Sequence, residues 1–402
     1  MRWLTAGESH GPALIGIIEG LPAHIKITKA DIDHELSHRR LGYGRGARQN
    51  FEADVVTIKG GIRLGESMGG PIAIEVANSE WPKWEKVMSA DPVPLEEIKD
   101  LGRNAPLSRP RPGHADLVGM QKYGFDDARD VLERASARET TARVAAGALA
   151  KALLRELDVT IVSHVVRIGA ASVATDVKPG PDDGDVVDAS EVRCFDSSSE
   201  ATMIAEIKSA AKDGDSLGGV AEVIAYGVPA GLGSHVHWDR KMDGLLAGAL
   251  MSIQAVKAVE IGDGVAQAGQ RGSVAHDAIA RDENAHGSGG YVRRTDHAGG
   301  LEGGMTSGAP LIARVSMKPL ATLNRPVLET VDVASGESTV SFKERTDVTA
   351  VPALGVIAES MMALVLANEA LRKFGGDSIA EFRRNAAAYL EHLGETPSSA
   401  RP

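Results

Sequence analysis

One cysteine, Cys194, stands in 402 residues, so no disulfide can close within the chain and no thiolate metal cluster can form. Such usage suits a reducing compartment. Positive charge is also short: 44 Lys and Arg face 55 Asp and Glu, a net charge of -11, which argues against a nucleic-acid binder with its broad basic surface. No stretch reaches 18 uncharged apolar residues, and Met1 to Gly20 lacks a basic region leading into an apolar run. The expectation is a cytoplasmic protein with no membrane segment. Only four Trp, five Tyr and six Phe accompany 45 glycines, so turns and close backbone approaches carry weight. No Walker lysine loop, dinucleotide fingerprint, zinc cluster or nucleophilic triad is legible.

What is present centres on Leu132 to Leu153. Ser136 and Glu139 have capping-box spacing, which predicts a helix starting after Ser136 with Arg134 and Arg138 beside its first turn. Free N–H groups and about half a positive charge gather at such an end, making an anion site. Ala142, Ala145, Ala146, Gly147, Ala148 and Ala150 leave one side small enough for another helix to approach closely. The alternative is a core helix whose arginines merely pair with Glu133 and Glu139.

In chain order, Arg2 to Ala6 and Ala13 to Glu19 read as a hairpin whose turn, Gly7-Glu8-Ser9-His10-Gly11, lifts three reactive side chains. A helix from Thr28 should end near Gly42 and leave Arg39, Arg40, Arg45 and Arg48 around a glycine-rich exit. The proline-rich stretch Asn104 to Asp116 reads as a loop carrying Arg109, Arg111 and His114. Residues 172–191 read as an exposed acidic excursion and Asp239 to Val259 as one long helix. Gly262 to Gly308 is too long for an idle loop, which suggests binding. Val351 to Phe374 predicts a long helix ended by Gly375, and 394–402 a disordered tail.

Gly11 with Gly20-Leu21-Pro22-Ala23 is echoed by Gly218 with Gly227-Val228-Pro229-Ala230, and Gly65 with Pro71 by Gly304 with Pro310. Two β-rich halves, about 1–157 and 215–376, are expected inside one domain, 1–393; common turn chemistry is the other explanation.

His10, freed by flanking glycines, can exchange a proton near neutral pH or be an ordinary turn histidine. His114 sits among Arg109 and Arg111, which favour its neutral form, and is either a second acid or a loop residue. His235 and His237 are two apart and would point to opposite sides of a strand, so no metal is assigned. Arg39, Arg45, Arg48, Arg109, Arg111, Arg134, Arg138 and Arg345 all fall in loops or at element ends, and guanidinium forks match phosphate and carboxylate oxygens. Together they predict a small, multiply anionic ligand. Gly299 to Gly308 lets backbone amides approach it, Lys318 to Thr322 adds a cation and a hydroxyl, and Asp347 beside Arg345 is a proton acceptor or a structural pair. Residue types alone stop at a binder of phosphorylated or carboxylated small molecules.

The blocks GESHG (7–11), ERASARET (133–140) and RTDVTAVPALGVIAES (345–360) resemble the signatures of the chorismate synthase family in the right order. RRLGYGRGAR (39–48), RPRPGHAD (109–116), GGLEGGMTSG (299–308) and KPLAT (318–322) are similar too, so the resemblance spans about 1–380. Thr346 and Thr349 depart from the family pattern beside Asp347.

The resemblance implies an α+β sandwich of two similar halves, with antiparallel sheets and long central helices, assembled as a homotetramer. It implies a carbon–oxygen lyase of aromatic amino acid biosynthesis, converting 5-enolpyruvylshikimate 3-phosphate to chorismate and phosphate by trans 1,4-elimination. Reduced FMN is required although no net redox change occurs. By resemblance His10 would protonate the reduced flavin, His114 the leaving phosphate, and Asp347 would help the flavin N5 accept the substrate's proton. Arg134, Ala135, Ser136, Gln254, Ala255, Gly303, Lys318, Pro319, Leu320, Ala321, Thr322 and Arg345 would hold FMN. Ser9, Arg48 and Arg134 would hold substrate, and Arg39 and Arg45 substrate or NADP. Many bacterial members take reduced flavin from a separate reductase, whereas a fungal type reduces it with NADPH. A phosphotransferase using the Gly299 to Gly308 loop and a non-catalytic flavin binder are the other readings.

Overall fold

Strands β1 (Arg2–Ala6), β2 (Ala13–Glu19), β3 (Val55–Gly60) and β4 (Ile72–Ala77) form an antiparallel sheet in the order β1-β2-β4-β3. Their period-two patterning sets its faces: Leu14, Gly16 and Ile18 of β2 turn inward. Strands β5 (Thr160–Ile168), β6 (Gly219–Tyr226), β7 (Val256–Ile261) and β8 (Leu311–Met317) form a second sheet in the order β5-β6-β8-β7, with Ala171–Ser172 added beside β5. The two sheets share one strand order and one set of antiparallel pairings. A tight two-residue hairpin precedes the third-placed strand of each, Ile62–Arg63 with Glu66–Ser67 and Leu301–Glu302 with Met305–Thr306. The computed structural model describes residues 1–45, 54–173, 177–342 and 346–393, so Arg48, Arg345 and the 394–402 tail lie outside the described residues.

The helices used below are α1 (Lys29–Arg39), α2 (Asp116–Tyr123), α3 (Arg129–Ala135), α4 (Thr140–Leu154), α5 (Ser197–Asp213), α6 (Met242–Met251), α7 (Val351–Phe374) and α8 (Ile379–Glu391). Helices α4 and α7 pack on each other between the sheets, α4 against β2 and α7 against β5 and β6. By length and composition α7 could cross a membrane, but 89% of its apolar window is buried inside this fold, as a core helix requires. The crossing is close enough to demand a glycine: a Cβ on Gly147 would sit 2.4 Å from the Ser360 Cβ.

Two expectations change here. The helix expected over Asp239 to Val259 is α6, which ends at Met251, followed after a turn with a left-handed Ala255 (φ 65°) by β7, which pairs with β8. The 172–191 stretch is only partly exposed. It forms a short helix at Gly184–Ala189, buries Val187 against Val162, Ile224 and Ile312, and pairs Asp188 with Arg193 and with His38. The glycine-rich run from 262 to 308 is not idle loop and carries short elements, including a hairpin of Ile279–Arg281 and Tyr291–Arg293.

Candidate active site

The end of α1, the turn before α4, the end of α6 and the start of α7 enclose a cleft of about 180 Å³, into which Arg45, Ser136, Gln254, Met317 and Asp347 project. The sequence expectation for the Ser136 end needs correction. Ser136 Oγ accepts from Arg138 N at 3.2 Å, yet what it caps is a single 3₁₀ turn, Ala137–Glu139, and α4 begins only at Thr140. The capping box does not close, because the Glu139 carboxylate is taken by Thr5 Oγ1 (2.5 Å), Arg143 Nε (2.8 Å) and Gln254 Nε2 (3.0 Å). Burial opposes charge on Glu139, but Arg143 and these hydrogen bonds outweigh it and hold the carboxyl below its usual range.

The arginines are placed by specific acceptors. Arg39 is buried and donates to Thr140 Oγ1 (2.9 Å) and to the Ala137 carbonyl (3.1 Å), fixing the 3₁₀ turn. Arg45 Nε donates to Asp347 Oδ2 at 2.8 Å, so within the described residues the aspartate's arginine is Arg45. Arg134 turns away from the cleft toward the first hairpin, donating to the carbonyls of Thr5 (2.8 Å) and Gly7 (3.2 Å). Arg138 is buried and pairs with Asp54. At the cleft, Gln254 Oε1 is buried and has no hydrogen-bond partner among the described residues, an acceptor left for a ligand donor.

Two histidines flank this region. His10 Nδ1 meets Glu133 Oε1 at 2.8 Å, its backbone N donates to Glu133 Oε2 at 2.8 Å, and Trp84 packs on its ring at 4.2 Å. Ser9, beside it, accepts from the Ser136 hydroxyl at 3.2 Å, which ties the hairpin loop to the cleft. On the other side, His114 Nδ1 lies 2.5 Å from Asp116 Oδ1, and Arg111 donates to both oxygens of the same carboxylate (2.8 and 3.0 Å). Burial disfavours the Asp116 charge, but His114 and Arg111 outweigh it and hold the carboxyl far below the ordinary range. The expectation placed His114 among arginines; the structure adds the Asp116 carboxylate, which both His114 and Arg111 contact. Arg111 also donates to Thr322 Oγ1 at 3.0 Å and Lys318 to the Gly113 carbonyl, so the Lys318 to Thr322 segment, with Pro319, Leu320 and Ala321, packs on the His114 loop. Lys318 N donates to the Ala255 carbonyl at 3.0 Å, which joins Gln254 and Ala255 to the same group.

Gly303 is the outlier. Its hairpin packs on the first residue of α6, with Met242 N donating to the Gly304 carbonyl at 2.9 Å, whereas Gln254 lies beyond the other end of that helix, about 15 Å away by helix rise. Glu133, Asp116 and Trp84 were not singled out by sequence, although both carboxylates sit inside the recognised blocks.

Residues 1–371 match the family model described as chorismate synthase. Relatives bearing that name include a protein of Thermobifida fusca, 60% identical over 395 residues, and one of Frankia alni, 61% identical over 395 residues, each alignment covering 98% of this chain and 99% of the relative. A crystal structure of chorismate synthase superposes with a TM-score of 0.77 at 37% identity, covering 98% of both chains.

Proposed function

Since the chain belongs to the chorismate synthase family, a lyase family of aromatic amino acid biosynthesis, we propose that its cleft carries out a trans 1,4-elimination on 5-enolpyruvylshikimate 3-phosphate. In that reaction the ring C–O bond to phosphate breaks, a ring proton is lost, and a second ring double bond forms. Chorismate and phosphate result with no net oxidation. The observation that carries the reading is the Arg45–Asp347 pair lining one cleft, to which the two carboxylate-held histidines are tied through Ser9–Ser136 and through Arg111–Thr322.

The residues present fit a flavin ring and phosphate: Gln254 Oε1 is a buried acceptor with no partner among the described residues, Ser136 lines the same cleft, and the Lys318 ammonium has donors beyond the one it gives the Gly113 carbonyl. Ser136, Gln254, Ala255 and Lys318 to Thr322 would hold reduced FMN, with Arg134 and Ala135 next to Ser136; Gly303 stands apart from this group, and Arg345, the remaining member of the set, lies outside the described residues. When bound, reduced FMN supplies an electron-rich ring that the elimination requires and does not consume. His10, with Nδ1 committed to Glu133, gives or takes its proton at Nε2. His114, likewise held at Nδ1, delivers a proton from Nε2 to the departing phosphate. Asp347, oriented by Arg45, steers the proton lost from the ring. Anaerobic titration with reduced FMN in the presence of substrate tests the binding part: saturable binding, about tenfold weaker in Gln254→Ala, is expected for loss of one buried hydrogen bond. No saturation would remove the flavin from this reading.

Assembly of copies is proposed on separate grounds. The outer face of the first sheet leaves Leu4 (60%), Ile17 (44%) and Val55 (54%) exposed, whereas the equivalent face of the second sheet is covered by Val187 and Phe195. A homotetramer using this face should sediment as such, and Ile17→Lys should dissociate it.

A further inference from the structure

The proton-transfer reading of His10 leaves unexplained why both oxygens of a buried carboxylate, 123 residues away in sequence, meet that residue. Glu133 is 3% exposed, and each of its carboxylate oxygens is committed to His10, Oε2 to the backbone N–H and Oε1 to the ring. Its main-chain carbonyl also accepts from Ser9 N at 3.0 Å. We propose that Glu133 is the positioning residue of His10: it fixes the Nδ1–H tautomer and aims Nε2 at the reacting groups.

The chemistry of the contact forces the tautomer. An ionised carboxylate only accepts, so the hydrogen of the 2.8 Å contact must be on Nδ1. Nε2 is then an acceptor in the neutral ring and a donor in the charged one, and no other atom of the ring can exchange protons. Orientation is fixed twice, because Trp84 lies on the imidazole at 4.2 Å and Arg129 sits over Trp84 at 5.1 Å while placing Nη1 3.7 Å from Glu133 Oε1. Flipping the ring would break the Glu133 bond, and turning it out of its plane would lose the Trp84 contact. Anchoring the loop alone would need only the two backbone hydrogen bonds; the ring contact is additional. Asp116 repeats the device independently on His114, fully buried, bound to Nδ1 and backed by Arg111.

The kinetic half of this inference rests on the proton role of His10; the tautomer half does not. The test uses the full chain with labelled imidazole nitrogens and Glu133→Gln, alone and with His10→Ala. Nitrogen NMR should show the Nδ1–H form in the unmodified protein. In the variant the amide oxygen keeps the backbone N–H and turns its NH₂ to Nδ1, so the Nε2–H form should appear. Turnover should fall about a hundredfold with KM within about twofold, and Glu133→Gln should add nothing in the His10→Ala background. An Nε2–H signal in the unmodified protein overturns the inference even if the variant does not fold. So does a variant whose tautomer and kcat are unchanged, or one whose losses in kcat and KM add fully to those of His10→Ala, which would make Glu133 a loop anchor. Full turnover by His10→Ala would instead remove the proton role of His10, and the NMR result would still decide the geometry.

Discussion

Arg45 Nε and Asp347 Oδ2 meet at 2.8 Å and bind the loop after α1 to the segment leading into α7, across 302 residues of chain. Their side chains retain only 8% and 21% of their exposure, so the pair is largely shielded from water and from salt.

Removing one partner of such a pair leaves the other charge poorly compensated. Asp347→Asn keeps an acceptor for Arg45 and should fold nearly normally while turnover drops about a hundredfold. Asp347→Ala should in addition lose about 3 kcal/mol of stability in urea. Identical urea curves for the two variants would show that Arg45 does not depend on an acceptor at position 347.

The Gly147 contact predicts a steep response to one methyl group. A Cβ there would overlap Ser360 of α7, so Gly147→Ala should cost about 1–3 kcal/mol despite better helix propensity. Circular dichroism during thermal unfolding checks it, and an unchanged midpoint would contradict so close a crossing of α4 and α7.

His38, at the end of α1 beside Arg39, meets Asp188 at 3.0 Å, and that hydrogen bond raises its pKa against the opposing effect of burial. A raised folded-state pKa contributes stability that is complete below the unfolded value of about 6.5 and disappears as pH rises through the folded value. The stability gap between the natural chain and His38→Gln should therefore be largest near pH 6 and close toward about pH 9. A gap that widens with pH would reverse the assignment.

Cys194 is 2% exposed and burial pushes its thiol up to about 11. Iodoacetamide at pH 8 should leave the folded protein unlabelled and react once denaturant is added, as mass spectrometry would record.

Several elements were legible because their signals are local. The first hairpin and α7 follow period-two and helical patterns, and their observed bounds agree with the expected ones. The small face of α4 likewise announced a close helix contact before the partner was known. Expectations failed where a distant neighbour decided. Glu139 has the spacing of a capping box, but Thr5 and Gln254, together with the nearer Arg143, take its carboxylate. The helix expected to run to Val259 ends at Met251, and Val256–Ile261 pairs instead with β8, a strand distant in sequence. Within the candidate site, the histidines stand out in sequence because glycines and prolines isolate them, whereas the partnership of Glu133 with His10 exists only after folding.

The most direct measurement is anaerobic: the purified protein, photoreduced FMN and 5-enolpyruvylshikimate 3-phosphate, with chorismate absorbance and phosphate release followed together and an oxidised-FMN control. Equal amounts of both products, formed repeatedly and only with reduced flavin, are predicted. No turnover while reduced flavin is shown to be bound would contradict the proposed elimination and leave a flavin-binding protein without this catalysis.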